Sequence, residues 1–95
     1  MAIANLIEKK WLWRSFHVVT DNGVYEVTYN GKGTGYEEVA VNEEVVCRLQ
    51  SLLWYQPQFN FTIGNANAQI NVKVSGLLQI TSFNLIVGGA EIYSE

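Results

Sequence analysis

The chain has 95 residues, 48% of them hydrophobic and 16% charged, and its six basic and nine acidic residues leave a net charge of −3. This balance excludes a disordered segment, because enough apolar surface is present to offset the entropy of ordering the chain, and it suits one domain, residues 1–95. Lys9-Lys10 is the only basic doublet, so nucleic acid is not an expected partner, and no segment approaches the roughly 20 apolar residues of a membrane span.

Residues Met1 to Ile7 run straight into Glu8-Lys9-Lys10, without the charge-first order and long apolar region of a signal peptide. The lone Cys47, in the apolar run Val45-Val46-Cys47, has no partner for an internal disulfide and reads as a small hydrophobe. The expected address is therefore cytoplasmic and reducing. Asn5 to Leu12 is compatible with either a short helix or an edge strand. Trp13 to Thr20 is rich in aromatic and β-branched residues, and Asp21-Asn22-Gly23 supplies a tight reversal into Val24 to Tyr29, which predicts a hairpin. After the flexible connection Asn30 to Gly35, Tyr36 to Val41 and Glu44 to Leu49 flank Asn42-Glu43 at two-residue hairpin spacing.

Gln50 to Gln58 breaks the pattern: Leu52-Leu53-Trp54-Tyr55 is a continuous apolar run closed by the only proline, Pro57, and reads as a long crossing loop. The remaining predicted strands are Gln58 to Ile63, Ala68 to Val74, Leu78 to Val87 and Ala90 to Ser94, punctuated by Gly64-Asn65, Ser75-Gly76 and Gly88-Gly89. Period-two alternation puts Phe59, Phe61 and Ile63 on one side of the first of these, Ile70, Val72 and Val74 on one side of the second, and Phe83, Leu85 and Val87 on one side of the third. Phe61, Ile70, Val72 and Leu85 are assigned to the core. The whole predicts an all-β, antiparallel β-sandwich of about eight strands in two sheets, joined by hairpins and one crossing loop. A closed barrel is the alternative, separated from it by whether Gln50 to Pro57 crosses between sheets.

No constellation carries catalytic chemistry. Gly31-Lys32-Gly33-Thr34-Gly35 has the composition of a phosphate loop, but its glycine spacing is wrong and a strand with Glu37-Glu38 follows where a helix is required. His17 is the only histidine and nothing local completes a metal or acid–base site around it, while Arg48 points to the face opposite Cys47 on a strand. Glu37-Glu38 and Glu43-Glu44 are adjacent strand residues facing opposite sides, and read as solvated edge charges. No catalytic residue, metal or cofactor is expected.

Phe59-Asn60-Phe61-Thr62-Ile63-Gly64-Asn65, a strand ending at Val74, and Leu85-Ile86-Val87-Gly88-Gly89-Ala90-Glu91-Ile92 resemble, in pattern and order, the C-terminal half of the Fas apoptotic inhibitory molecule family. His17 before the Asp21-Asn22-Gly23 turn and the Asn42-Glu43 hairpin extend the resemblance over about Trp13 to Tyr93. It implies a β-sandwich and a non-enzymatic, cytosolic protein acting through protein contacts, in that family linked to death-receptor signalling and to protection against protein aggregation. Family members couple two such modules; this chain has one.

The aromatics remain. Trp11 and Trp13 share a strand face if Lys10 to Arg14 is extended, and Trp54-Tyr55 falls in the crossing loop, where large rings plug the end of the sandwich or form an exposed contact. Trp11, Trp13, Trp54 and Tyr55 are the candidate interaction surface, for an unidentified protein partner or a second copy in a homo-dimer. The second reading is a small-ligand or carbohydrate module, favoured by a concave aromatic face with amides such as Gln56, Gln58 or Asn60 beside it; a flat apolar patch favours protein contact.

Overall fold

Wherever the alternation is strongest the chain is extended. The computed structural model describes residues 2–31, 36–50, 58–74 and 79–95, with the side chains at 36, 49, 50 and 74 excepted. Five strands, β1 (Ile3–Lys10), β2 (Trp13–Thr20), β3 (Gly23–Gly31), β4 (Tyr36–Val41) and β5 (Glu44–Gln50), form one sheet in that order. Four more, β6 (Gln58–Ile63), β7 (Ala66–Val74), β8 (Ile80–Val87) and β9 (Ala90–Ser94), form the second. Within each sheet every strand pairs antiparallel with its neighbours in sequence, so each sheet is a meander. The change of sheet falls between β5 and β6, where the crossing was expected, and the architecture is the predicted sandwich with nine strands in place of about eight.

The extra strand is β1, which settles the ambiguity over Asn5 to Leu12. Its reversal at Trp11-Leu12 carries no turn residue, and Leu12 takes a left-handed φ of 51°. That conformation costs a non-glycine residue about 1–2 kcal/mol, which is offset because Leu12 is only 4% exposed and so gains a comparable amount by burial. The Leu12 carbonyl also accepts the N–H of Gly31 at 2.7 Å. Gly31 itself is buried, and a Cβ there would stand 2.8 Å from the Tyr29 hydroxyl, so packing accounts for this glycine of the supposed phosphate loop. The rest of that loop, 32–35, lies outside the described residues.

Asn42-Glu43 and Gly88-Gly89 both turn through left-handed angles, 51° and 69°, then 60° and 82°, as two-residue hairpins require. Gly64 is needed twice over: its φ is 59°, and a Cβ would come within 2.6 Å of the Tyr25 hydroxyl on the opposite sheet. The turns at 21–22 and 64–65 therefore close the same end of the sandwich.

Between the sheets, Phe16, Tyr29, Phe83 and Tyr93 form a continuous aromatic cluster, with Phe83 5.7 Å from Phe16, 5.5 Å from Tyr29 and 6.1 Å from Tyr93. Val18, Val27, Val39, Ile70, Val72 and Leu85 fill the space around it. The inward side of β6 is as expected, but its burial is uneven: Phe59 and Ile63 are 3% and 1% exposed, whereas Phe61 packs against the same core only half-buried. Phe61 sits opposite Ala68 on β6, the edge strand of its sheet.

Candidate functional site

Of the four expected aromatics, Trp11 and Trp13 are among the described residues. Because the chain reverses at Trp11-Leu12, Lys10 to Arg14 is not one extended segment, and Trp11 stands 61% exposed on the turn. Trp13 opens β2 and is half-buried on the outer face of the five-stranded sheet. The buried residue of this turn is Leu12, beside Gly31, and not either of its larger neighbours. Trp54 and Tyr55 lie outside the described residues.

Trp13 is instead brought together with residues from three other strands. Register aligns Lys10, Trp13, Asn30, Glu38 and Arg48 in one cross-strand row, Glu8, Ser15, Thr28, Ala40 and Val45 in the next, and Asn5, His17 and Glu26 in a third. The middle row is made of small side chains where it crosses β2 to β4, so the outer face is hollowed between two taller rows. The result is a groove of about 620 Å³ whose floor is Ser15, Thr28 and Ala40 and whose walls include Trp13, Asn30 and Glu38 on one side and His17, Glu26 and Glu43 on the other. Glu43 reaches it because Asn42 is clamped to β3, donating its N–H to the Glu26 carbonyl at 2.7 Å and accepting the Glu26 N–H on Oδ1 at 2.9 Å. A bulge between Leu6 and Glu8 turns Ile7 towards the β1 end of the groove.

The lining is electronegative. Among the described residues Glu8, Glu26, Glu38 and Glu43 face it, and no lysine or arginine does. Lys10 and Arg48 stand outside, 3.3 Å from Glu8 and 3.8 Å from Glu38. His17 Nε2 lies 4.0 Å from Glu26 Oε2, an ion pair only when the imidazole is protonated. The Trp13 indole N–H is shielded from water and has no acceptor among the described residues. Among the described residues no three His, Cys, Asp or Glu side chains are placed to hold a metal ion.

Two polar clusters lie away from the groove. Glu37, expected as a solvated edge charge, is 7% exposed and faces the core; the Tyr29 hydroxyl donates to its Oε1 at 2.6 Å and its Oε2 has no partner among the described residues. Adjacent strand residues do face opposite ways, but the inward side at Glu37 is the sandwich interior. Burial pushes the Glu37 carboxyl above the ordinary carboxylate range, with the Tyr29 hydrogen bond acting against it. The second cluster joins the sheets: Arg14 grips Glu95 through Nε–Oε2 at 2.5 Å and Nη2–Oε1 at 2.9 Å, and Tyr93 donates to Oε2 at 2.7 Å. The Arg14 hydrogen bond, more than any other cause, holds Glu95 down at about 2, while burial and then Glu95 push Tyr93 up to about 12. Cys47 donates to the Asn60 carbonyl across the β5–β6 edge at 3.3 Å, and burial raises its thiol.

The outer face of the four-stranded sheet is different again. Gln58, Asn60, Gln69 and Asn71 share it, linked by Gln69 to Asn60 and Asn71 to Gln69 hydrogen bonds of 3.1 Å each. Gln58 and Asn60, the amides that an aromatic sugar platform would have used, are thus on the sheet opposite Trp13. Comparison of the chain with family models, with curated proteins and with solved structures finds no match. The groove residues were missed in the sequence for want of register. The available signal was the run of small outward residues, Ser15, Thr28 and Ala40, that three hairpin-linked strands bring side by side.

Proposed function

We propose that this chain is a non-enzymatic protein-interaction module that meets its partner through the outer face and β1 edge of the five-stranded sheet. One observation supports the reading above others. Among the described residues, the large hydrophobic side chains left exposed are Ile3, Leu6, Ile7, Trp11, Val19, Val24, Val45 and Val46, and all belong to the five-stranded sheet or its first turn. Ile3, Val19 and Val24 form a further cross-strand row, continuous with the groove face. Five strands about 4.8 Å apart and eight residues long give a face of about 600 Å² before side-chain relief, close to the roughly 800 Å² that one partner contributes to a standard interface.

Contact between proteins is also what the resemblance to the Fas apoptotic inhibitory molecule family implies; apoptosis regulation and protection against aggregation attach to this chain through that resemblance alone. A reducing, cytoplasmic setting suits the Cys47 thiol. The test is a photo-reactive side chain placed at Val24 or, on the opposite sheet, at Thr62, in an extract of the host cell. Adducts are expected from position 24, lost on Val19→Lys with the melting temperature retained, and light scattering identifies a second copy as the partner if the mass doubles. Equal yields from positions 24 and 62 would sink the proposal.

A further inference from the structure

Taking as its premise that the outer face of the five-stranded sheet is a contact surface, we propose that the groove across it seats a short basic segment of the partner chain, carrying arginine or lysine. The groove matches that occupant in size and charge. Its walls are alternate rows of the same strands, about 13 Å apart, and it crosses β1 to β4 over about 14 Å, room for about four extended residues. The small floor at Ser15, Thr28 and Ala40 lets a side chain descend between the walls. Trp13 offers a ring for a guanidinium or ammonium, and Ile7 an apolar surface for the aliphatic stem beneath the charge.

Charge selects the class of ligand. Glu8 and Glu38 are matched by Lys10 and Arg48 along one wall, so the excess negative charge of the described lining falls on Glu26 and Glu43 of the other. An anionic segment would meet like charge at Glu26 and Glu43, at a cost that rises as the groove is desolvated. A neutral oligosaccharide would stack on Trp13 yet bring no cation to Glu26 and Glu43 as they are dehydrated. The Glu43 side chain occupies a left-handed turn position, φ 69°, where glycine is the unstrained choice after asparagine, so the chain carries an acid at this wall at some expense to its turn.

The test is an NMR titration of the whole chain with acetyl-Arg-Ala-Arg-Ala-amide, with its glutamate counterpart, and with cellotetraose. Saturable shifts are expected for the basic peptide at the amides of Ser15, Thr28 and Asn30 and at the Trp13 indole, weakening with added salt. The Glu26→Gln/Glu43→Gln double variant, with both positions outside the core, should melt as the parent does and bind about tenfold more weakly. The Glu26→Lys/Glu43→Lys variant should transfer the response to the acidic peptide. Saturation by cellotetraose in place of the basic peptide, no saturable groove shift with the basic peptide, or unchanged affinity in the Gln double variant overturns the proposal. If photo-adducts at position 24 persist while the basic peptide fails, the groove assignment falls and the contact face stands. If the peptide binds as expected but the adducts are absent, the groove stands and the contact face falls.

Discussion

Replacing Glu95 by glutamine tests the link between the two sheets. The Arg14 side chain is 6% exposed and its guanidinium is committed on every side: Nη1 donates to the carbonyls of Lys10 and Trp13 at 2.7 and 2.8 Å, and the fork on Glu95 uses Nε and Nη2. Glutamine preserves the size of the side chain and the Glu95 backbone N–H bond to the Phe83 carbonyl at 2.8 Å, but it removes the charge and turns an N–H towards Arg14. Breaking a fully buried pair costs about 3–5 kcal/mol, whereas a hydrogen bond to a charged group contributes about 1.5–3. Glu95 remains 18% exposed, and Lys9, 3.2 Å away, is out in solvent, so the lower range applies. A loss of about 2 kcal/mol, or about 10 °C in melting temperature, is expected at pH 7.

The pH dependence makes the prediction specific. In the fold the Glu95 carboxyl lies at about 2, against an ordinary 4.5, so between these values the unfolded chain binds the proton more readily and stability falls as pH falls. The contribution is complete above 4.5 and is lost progressively towards about 2. Urea unfolding of the parent and of Glu95→Gln at matched ionic strength should therefore show a gap at pH 7 that narrows through this window. A gap that stays constant down to pH 2, or none at pH 7, refutes the assignment of the stabilisation to the carboxylate charge.

Phe59→Ala should cost about 3–5 kcal/mol, because the ring is buried against Tyr29 at 5.9 Å, and Phe61→Ala about half as much, because its ring is only half-buried; equal losses in calorimetry would show that the two rings are equally buried. Glu37 behaves oppositely to Glu95: its folded carboxyl is raised, so its contribution is present at low pH and lost as pH rises through the folded value. Glu37→Gln, which keeps an acceptor for the Tyr29 hydroxyl, should match the parent near pH 4 and exceed its stability by about 1 kcal/mol at pH 8, and a stability difference that does not grow with pH contradicts the buried placement.

Local signals carried the strands well. Trp13 to Thr20, Tyr36 to Val41, Gln58 to Ile63 and Ala90 to Ser94 begin and end where turn chemistry and alternation place them, because the pleat and the left-handed turn angles are properties of a few adjacent residues. Where local chemistry was silent the reading stopped: Trp11-Leu12 reverses without a turn residue, since burial of Leu12 compensates the backbone. Trp13 was singled out for its ring, but its companions in the groove come from other strands.

The amino-acid order by itself thus determined an all-β chain of short antiparallel strands, its hairpins and the point at which it passes between sheets, all of which follow from period-two burial and from residues that accept positive φ. The tertiary structure alone decided what each polar residue meets. Arg14 finds Glu95 across 81 positions of sequence, Glu37 lies inside although Glu38 beside it lies outside, and Ser15, Thr28 and Ala40 become the floor of one groove. Alternation assigns a residue to a face of its strand, but only register and the closure of two sheets determine whether that face is core, seam or binding surface.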